Sequence, residues 1–295
     1  MWHAGERRLQ ESAGTAARMA VIGPRVVRDH MPAQHQAFFA QLPFLVVGSV
    51  DARDDAWATL LAERPGFVRA TTPTSLEIHA RPDPGDPAGD GLRPGHAVGL
   101  LGIELHTRRR NRANGQLRAG DDDALHVAVT QSFGNCPQYI HLRDAAWVDD
   151  DPRAGEVEVA DALDVHARAT IAQADTFFVA TWAERDDRRE VDVSHRGGAP
   201  GFVQIDGDDR LVIPDYSGNQ FFSTLGNIAC NGRAGLVFVD FATGDLLQLT
   251  GDARVILDDP AIDAFAGAER LWTFHPRRLV RRRAALPLRW TARRG

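Results

Sequence analysis

One tetrapeptide occurs twice in this chain. Pro65-Gly66-Phe67-Val68 returns as Pro200-Gly201-Phe202-Val203, and the apolar runs around it return with it. Phe44-Leu45-Val46 is answered by Phe177-Phe178-Val179, Leu76-Glu77-Ile78 by Leu211-Val212-Ile213, residues 99–107 by 235–243, and Gly115 by Gly251. The offset stays between 133 and 136 across these five matches, a constancy that unrelated short strands would not keep. Each run is short, rich in β-branched and aromatic residues and bounded by Gly, Pro or Asp, so each reads as a strand. The sequence therefore predicts a mainly β protein with helices (α+β) in which one strand-rich unit is duplicated in tandem.

Residues 1–150 are expected to hold an N-terminal helical arm, from about Glu6 to Ala40, and the first unit; residues 151–295 hold the second. The acidic run 149–156 reads as a linker and residues 159–174 as a connecting helix. Two copies of one fold in a chain are expected to pack about a pseudo-two-fold axis, as the subunits of a symmetric dimer do.

Composition removes several function classes. The chain of 295 residues contains no lysine, so all 34 of its Lys+Arg residues are arginine. A Walker-type phosphate loop and a pyridoxal-phosphate Schiff base both need lysine and are excluded. A phosphorylated ligand would have to be held by arginine, backbone amides and small polar side chains. The net charge of -6 argues against general affinity for nucleic acid. The basic tail 277–294 alternates with Leu279, Val280, Leu286, Leu288 and Trp290, which reads as a strand with a solvated arginine face. Cys136 and Cys230 are far apart and in no CxxC arrangement, so they read as reduced thiols of a cytoplasmic protein. Glu6, Arg7, Arg8, Glu11 and Arg18 break up any apolar leader, and no run is long enough to span a membrane. No HExxH or close His/carboxylate set suggests a metal, and no GxSxG occurs.

The chemistry-bearing stretch is 192–227. Phe221, Phe222, Leu225, Ile228 and Ala229 share one helical face, which predicts a helix with Ser217 and Asn219 at its start, where unpaired N–H groups favour a phosphate. Taken alone, Ser217 and Gly218 are equally an ordinary cap and turn. The first copy lacks these features: Thr59-Leu60-Leu61-Ala62-Glu63 stands for Ser194-His195-Arg196-Gly197-Gly198, and the Pro/Gly loop 80–91 stands for the helix start. One phosphate site per chain is expected. The first copy instead carries Arg108, Arg109, Arg110 and Arg112 on a predicted hairpin and Gln131-Ser132 at the end of a strand. An arginine run is commonly a solvated face, but with the copies face to face these residues would reach the second copy's site.

The second half resembles the split-barrel flavin-binding proteins related to pyridoxamine 5'-phosphate oxidase, in particular their bacterial flavin-nucleotide-binding branch. The pattern is carried by Asp192, Ser194, Arg196, Gly197, residues 200–203, Pro214-Asp215, Gly218-Asn219, Gly226-Asn227-Ile228 and Gly235-Leu236 with Phe238. The resemblance implies two tandem split β-barrels packed as an intramolecular pseudo-dimer with FMN between them. It places Ser194, His195, Arg196 and Gly197 along the ribityl-phosphate path, Ile213, Pro214 and Asp215 beside the flavin, and Ser217 and Asn219 at the phosphate. Arg110, Arg112, Gln131 and Ser132 stand where the partner subunit contributes in the oxidases. Two departures bear on activity: Gly218-Asn219 replaces the oxidases' Arg-Lys pair, and their C-terminal pyridoxamine-phosphate motif is not recognisable in 286–294. Vitamin B6 oxidation is therefore not implied. The expected function is that of an FMN-dependent oxidoreductase acting on a small-molecule substrate, with NADH or NADPH as a candidate electron donor. The alternative is a non-catalytic flavin carrier, redox sensor or electron-transfer partner. No catalytic residue is assigned; His195 reads as a binding group and Cys136 as an inert thiol. Neither nucleic acid nor membrane is an expected partner, and further pairing into a homodimer is left open.

Overall fold

The computed structural model describes residues 1–120, 123–148 and 155–293. The first half opens with helices α1 (Ala4–Ser12), α2 (Ala16–Val26) and α3 (Ala33–Ala40), followed by strands β1 (Phe44–Val50), β2 (Ala56–Ala62), β3 (Val68–Thr72), β4 (Ser75–Ile78), β5 (Ala97–Glu104), β6 (Arg109–Arg118), β7 (Leu125–Gly134) and β8 (Arg143–Trp147). The second half runs β9 (Val157–Ala160), α4 (Val165–Gln173), β10 (Thr176–Arg185), β11 (Arg188–Gly197), β12 (Gln204–Ile205), β13 (Leu211–Tyr216), α5 (Ser223–Asn231), β14 (Arg233–Val239), β15 (Leu246–Ile256), β16 (Ala268–Arg282) and β17 (Leu288–Ala292).

Among the described residues the strands form two large antiparallel sheets. Their orders are β2-β1-β5-β6-β7-β4-β3 and β11-β10-β14-β15-β16-β13-β12, the same order place by place, with β9 added against β16. A two-stranded sheet of β8 and β17 ties the end of the chain back to the first half.

The continuous apolar runs follow from burial on both faces. Side chains alternate along a strand, so each parity meets a different environment. In β1, Leu45 and Val47 enter the core under the first sheet, while Phe44 and Val46 enter a core shared by the halves. In β10, Phe177 and Val179 face the second sheet's own core, while Phe178 and Ala180 join the shared one. β5 and β14 divide in the same way, with Leu101, Ile103, Val237 and Val239 in the shared core. Two glycines allow the sheets to approach. A Cβ on Gly99 would lie 2.9 Å from Val191 O of β11, and one on Gly235 would lie 2.1 Å from Ala56 O of β2.

The structure departs from the sequence reading in several places. The repeated Pro-Gly-Phe-Val is a turn that delivers one strand residue at most: Gly66 and Gly201 take φ of +100° and +85°, a region L side chains avoid. The predicted helix 159–174 divides. Val157, Glu158, Val159 and Ala160 pair with β16, and α4 begins only after Asp164, whose carboxylate accepts 2.7 Å from Ala167 N as an N-cap. Residues 149–154, which carry most of the expected linker and the boundary at 150/151, lie outside the described residues.

The arginine tail is a solvated face only in part: Arg293 is exposed and Arg277 and Arg283 are half-buried. Arg281 and Arg282 are buried, Arg281 on Glu158 and Asp164 and Arg282 on Asp83 and Asp86 (2.7 Å). Strand register keeps Thr59 in the position of Ser194. Gly48 pairs with Gly99 as Ala180 pairs with Gly235, so Val47 corresponds to Val179, and these stand opposite Thr59 and Ser194. Among the described residues, no helix is long and apolar enough to cross a membrane.

Candidate functional site

A cleft opens where β11, β13 and the first turn of α5 meet β6 and the loop after β7. Two strands supply its floor from opposite halves. Arg112 of β6 places Nη1 2.7 Å from Asp192 Oδ1 and donates from Nη2 to Ser194 Oγ at 2.6 Å. Thr224 Oγ1 donates to the same Ser194 oxygen at 2.8 Å, and Asn114 Nδ2 donates to Asp192 at 3.2 Å. These groups are buried, and burial pushes the Arg112 guanidinium down from its ordinary range while Asp192 opposes the shift.

Toward the second sheet, Asp215 is held by two arginines. Arg196 donates to Oδ1 at 2.6 Å and Arg270 to Oδ2 at 2.7 Å. Arg270 also reaches Glu269 at 2.8 Å and lies over the Phe222 ring. Asp215 and Arg270 face one another across the β13–β16 ladder. That opposition exists only once the strands pair, which is why sequence reasoning missed Arg270.

Arg110 differs from the other three arginines lining the cleft. It donates from Nε to Cys136 O at 2.6 Å and from Nη1 to His195 Nδ1 at 3.1 Å, and it has no carboxylate partner among the described residues. Desolvation, with the positive charges of Arg112 and Arg196 beside it, pushes its pKa down to about 10. Burial, with the positive charges of Arg110 and Arg196 beside it, holds His195 well below the usual imidazole value, so the ring is neutral at physiological pH. With Nδ1 accepting from Arg110, the proton belongs on Nε2, which has no partner among the described residues. The floor thus presents a desolvated cation and an unused N–H donor, the combination that stabilises an anionic oxygen.

Of the residues singled out by sequence, Arg110, Arg112, Ser194, His195, Arg196, Gly197, Pro214, Asp215, Ser217 and Asn219 line this cleft together. Three do not. Ile213 is fully buried in the second sheet's core, because it has the opposite parity to Pro214 on β13. Gln131 lines a neighbouring cleft and donates to Glu190 at 3.3 Å. Ser132 is fully buried: His35 Nδ1 lies 2.8 Å from its Oγ, and Arg28 pairs with its backbone, so the N-terminal arm covers it.

The helix start is also corrected. β13 continues through Tyr216, and residues 217–222 are needed to cross from the sheet to α5, which begins at Ser223. Phe221 and Phe222 therefore precede the helix, and Asn219 Oδ1 accepts from Phe221 N at 3.1 Å within the loop instead of capping α5. Ser223, Thr224 and Leu225 of the first helical turn do line the cleft. Tyr139 and Tyr216, which the sequence reading passed over, stack at its mouth, and a Cβ on Gly197 would meet Tyr139 O at 2.0 Å.

Residues 163–286 match the family model described as pyridoxamine 5'-phosphate oxidase. No curated protein matches the chain. Among solved structures, HupZ of Group A Streptococcus is 14% identical with a TM-score of 0.30, covering 39% of this chain and 89% of its own. An FMN-binding protein of Syntrophomonas wolfei is 14% identical with a TM-score of 0.29, covering 39% and 82%. A FAD binding protein of Mycobacterium smegmatis is 11% identical with a TM-score of 0.27, covering 43% and 98%.

Proposed function

Starting from a second half that belongs to the pyridoxamine 5'-phosphate oxidase-like family, we propose that the cleft binds FMN and that the protein is a flavin-dependent oxidoreductase. The observation that carries this reading is Arg110, desolvated beside a neutral His195 and with no carboxylate partner among the described residues. A phosphate supplies the missing charge, and Arg110, His195, Arg196, Ser217 and Asn219 would hold it. Flavin supplies hydride or single-electron exchange when bound. The protein's part is to bind and orient it. Arg112 and Thr224 fix the Ser194 hydroxyl, and Asp215, locked between Arg196 and Arg270, keeps both guanidiniums in place.

The same reading makes residues 1–150 and 151–295 a tandem pair of split barrels packed as an intramolecular pseudo-dimer. The shared strand order supports it, as do the reciprocal contacts of Gly99 with β11 and Gly235 with β2. It also accounts for a single site. Gln248, opposite Val237, has the place on β15 that Arg112, opposite Leu101, has on β6. Around Gln248 the space is taken by Asp86, which accepts from it at 2.9 Å and from Arg282 at 2.7 Å. The Pro/Gly loop of the first half thus fills the second potential cleft with its own carboxylate.

The test is the absorption spectrum of the purified protein with mass identification of what it releases, followed by titration with FMN, FAD and riboflavin. FMN is expected to bind more tightly than riboflavin, because the cleft floor recognises the phosphate. Equal affinity for riboflavin, or no flavin binding, overturns the reading. Reduction of bound flavin by NADH or NADPH and reoxidation by an acceptor would support the oxidoreductase; bound flavin that neither donor reduces would support a carrier or sensor.

A further inference from the structure

The chain contains two tyrosines, and they stack on one another. Tyr139 comes from the loop after β7 in the first half, and Tyr216 from the end of β13 in the second. Their ring centroids are 5.2 Å apart with planes inclined by 25°, and both line the mouth of the cleft. Tyr139 is 41% exposed, so one side of the stacked pair is open to solvent.

The backbone beneath the pair is held by hydrogen bonds on both sides. Asn135 N donates to Arg110 O at 3.1 Å, Arg110 returns a bond to Cys136 O, and His141 Nε2 lies 2.9 Å from Gly198 O. The carbonyl of Tyr139 itself lies against Gly197, where no side chain would fit. The loop is therefore pinned on both sides of Tyr139, whose φ is +63°. Separation of the rings would thus have to come from the side chains and not from the loop.

The layout of the cleft indicates what would separate them. Arg110, His195 and Arg196 line one part of it and the tyrosine pair another. A ligand whose anionic end is held by the arginines can turn a planar end to the tyrosines. We propose that Tyr139 and Tyr216 form a jaw that parts to hold the isoalloxazine ring of the flavin, with Tyr139 covering its outer face. This rests on the FMN reading above. Flat aromatic faces replace one another in offset stacks, so the contact between the tyrosines is exchanged for contacts with a larger ring.

The experiment titrates FMN into wild type, Tyr139→Phe and Tyr139→Ala, following affinity and the fluorescence of the bound flavin. Tyr139→Phe retains a stacking ring and is expected to keep the wild-type dissociation constant within about twofold. Tyr139→Ala is expected to raise it about tenfold and to brighten the bound flavin, since an adjacent phenol quenches flavin emission. Unchanged affinity and emission in Tyr139→Ala overturn the jaw while leaving the cofactor reading intact; wild type that binds no FMN overturns both. A measurement on wild type alone guards against misfolding of the variant. Nitration of Tyr139 by tetranitromethane, located by peptide mass, is expected to slow at least fivefold with saturating FMN, and an equal rate with and without FMN overturns the proposal.

Discussion

Arg112 of β6 and Asp192 of β11 meet at 2.7 Å across the interface between the halves, each with its side chain 6% exposed. Neither charge has an alternative partner in water, so the pair ties the floor of the cleft to the correct seating of one sheet on the other. The site and the interface are one structure.

Breaking this pair from one side leaves a buried charge uncompensated. Arg112→Met is expected to lower stability by about 3–5 kcal/mol, measured by urea denaturation. Arg112→Met combined with Asp192→Asn should recover part of that loss. A double variant no more stable than the sum of the singles would mean that the two residues do not act as a pair.

Arg110 is expected to behave in the opposite way. Its charge is desolvated and has no carboxylate partner among the described residues, so Arg110→Met should leave the stability of the unliganded protein unchanged or raise it. The same change should weaken FMN binding by about 1.5–3 kcal/mol, the value of a hydrogen bond to a charged group, and should hardly affect riboflavin. Calorimetric titration of both ligands checks this, and equal losses for FMN and riboflavin would remove Arg110 from the phosphate.

Glu6 gives the protein a pH dependence that its surface does not predict. Its carboxyl accepts from His3 N at 3.0 Å, and burial, with Asp192 and Glu190 nearby, raises its pKa from 4.5 to about 8. The folded state therefore holds a proton that the unfolded chain gives up above 4.5, and the unfolded chain binds fewer protons throughout that window. The Glu6 contribution is fully present below pH 4.5 and is lost as pH rises toward 8. Glu6→Gln should flatten the fall of the melting temperature between pH 5 and 8 and be the more stable protein at pH 8. Parallel curves for the two proteins would show that Glu6 ionises normally.

Gly235 is needed for its missing side chain rather than for its backbone angles. An added Cβ would lie 2.1 Å from Ala56 O, which belongs to a strand of the other sheet and cannot rotate away. Gly235→Ala is expected to cost about 1–3 kcal/mol through overpacking. Thermal melting checks this, and a melting temperature within a degree of wild type would mean that the sheets can separate at low cost.

Much of the scaffold was legible in the amino-acid order. Residues 44–50, 97–104, 176–185 and 233–239 form strands because both parities of each run are apolar, and that is a local property. The polar stretch after Asp192 read as chemistry because Ser194, His195 and Arg196 interrupt such a pattern. The lack of lysine limited any anion site to arginine and small polar groups before any geometry was known.

Tertiary structure decided which of these groups act together. Asp215 meets Arg270 because two strands pair in one register, Arg112 meets Asp192 because two sheets pack at one angle, and Tyr139 meets Tyr216 across 77 positions of chain. The same packing withdrew Ile213 and Ser132 into the interior and paired Arg281 and Arg282 with carboxylates from distant loops. Alternation along a strand is set by the nearest few residues and can be read in one dimension. The partner of a buried charge is set by register and by which faces meet, and those are fixed only when the whole chain has found its place.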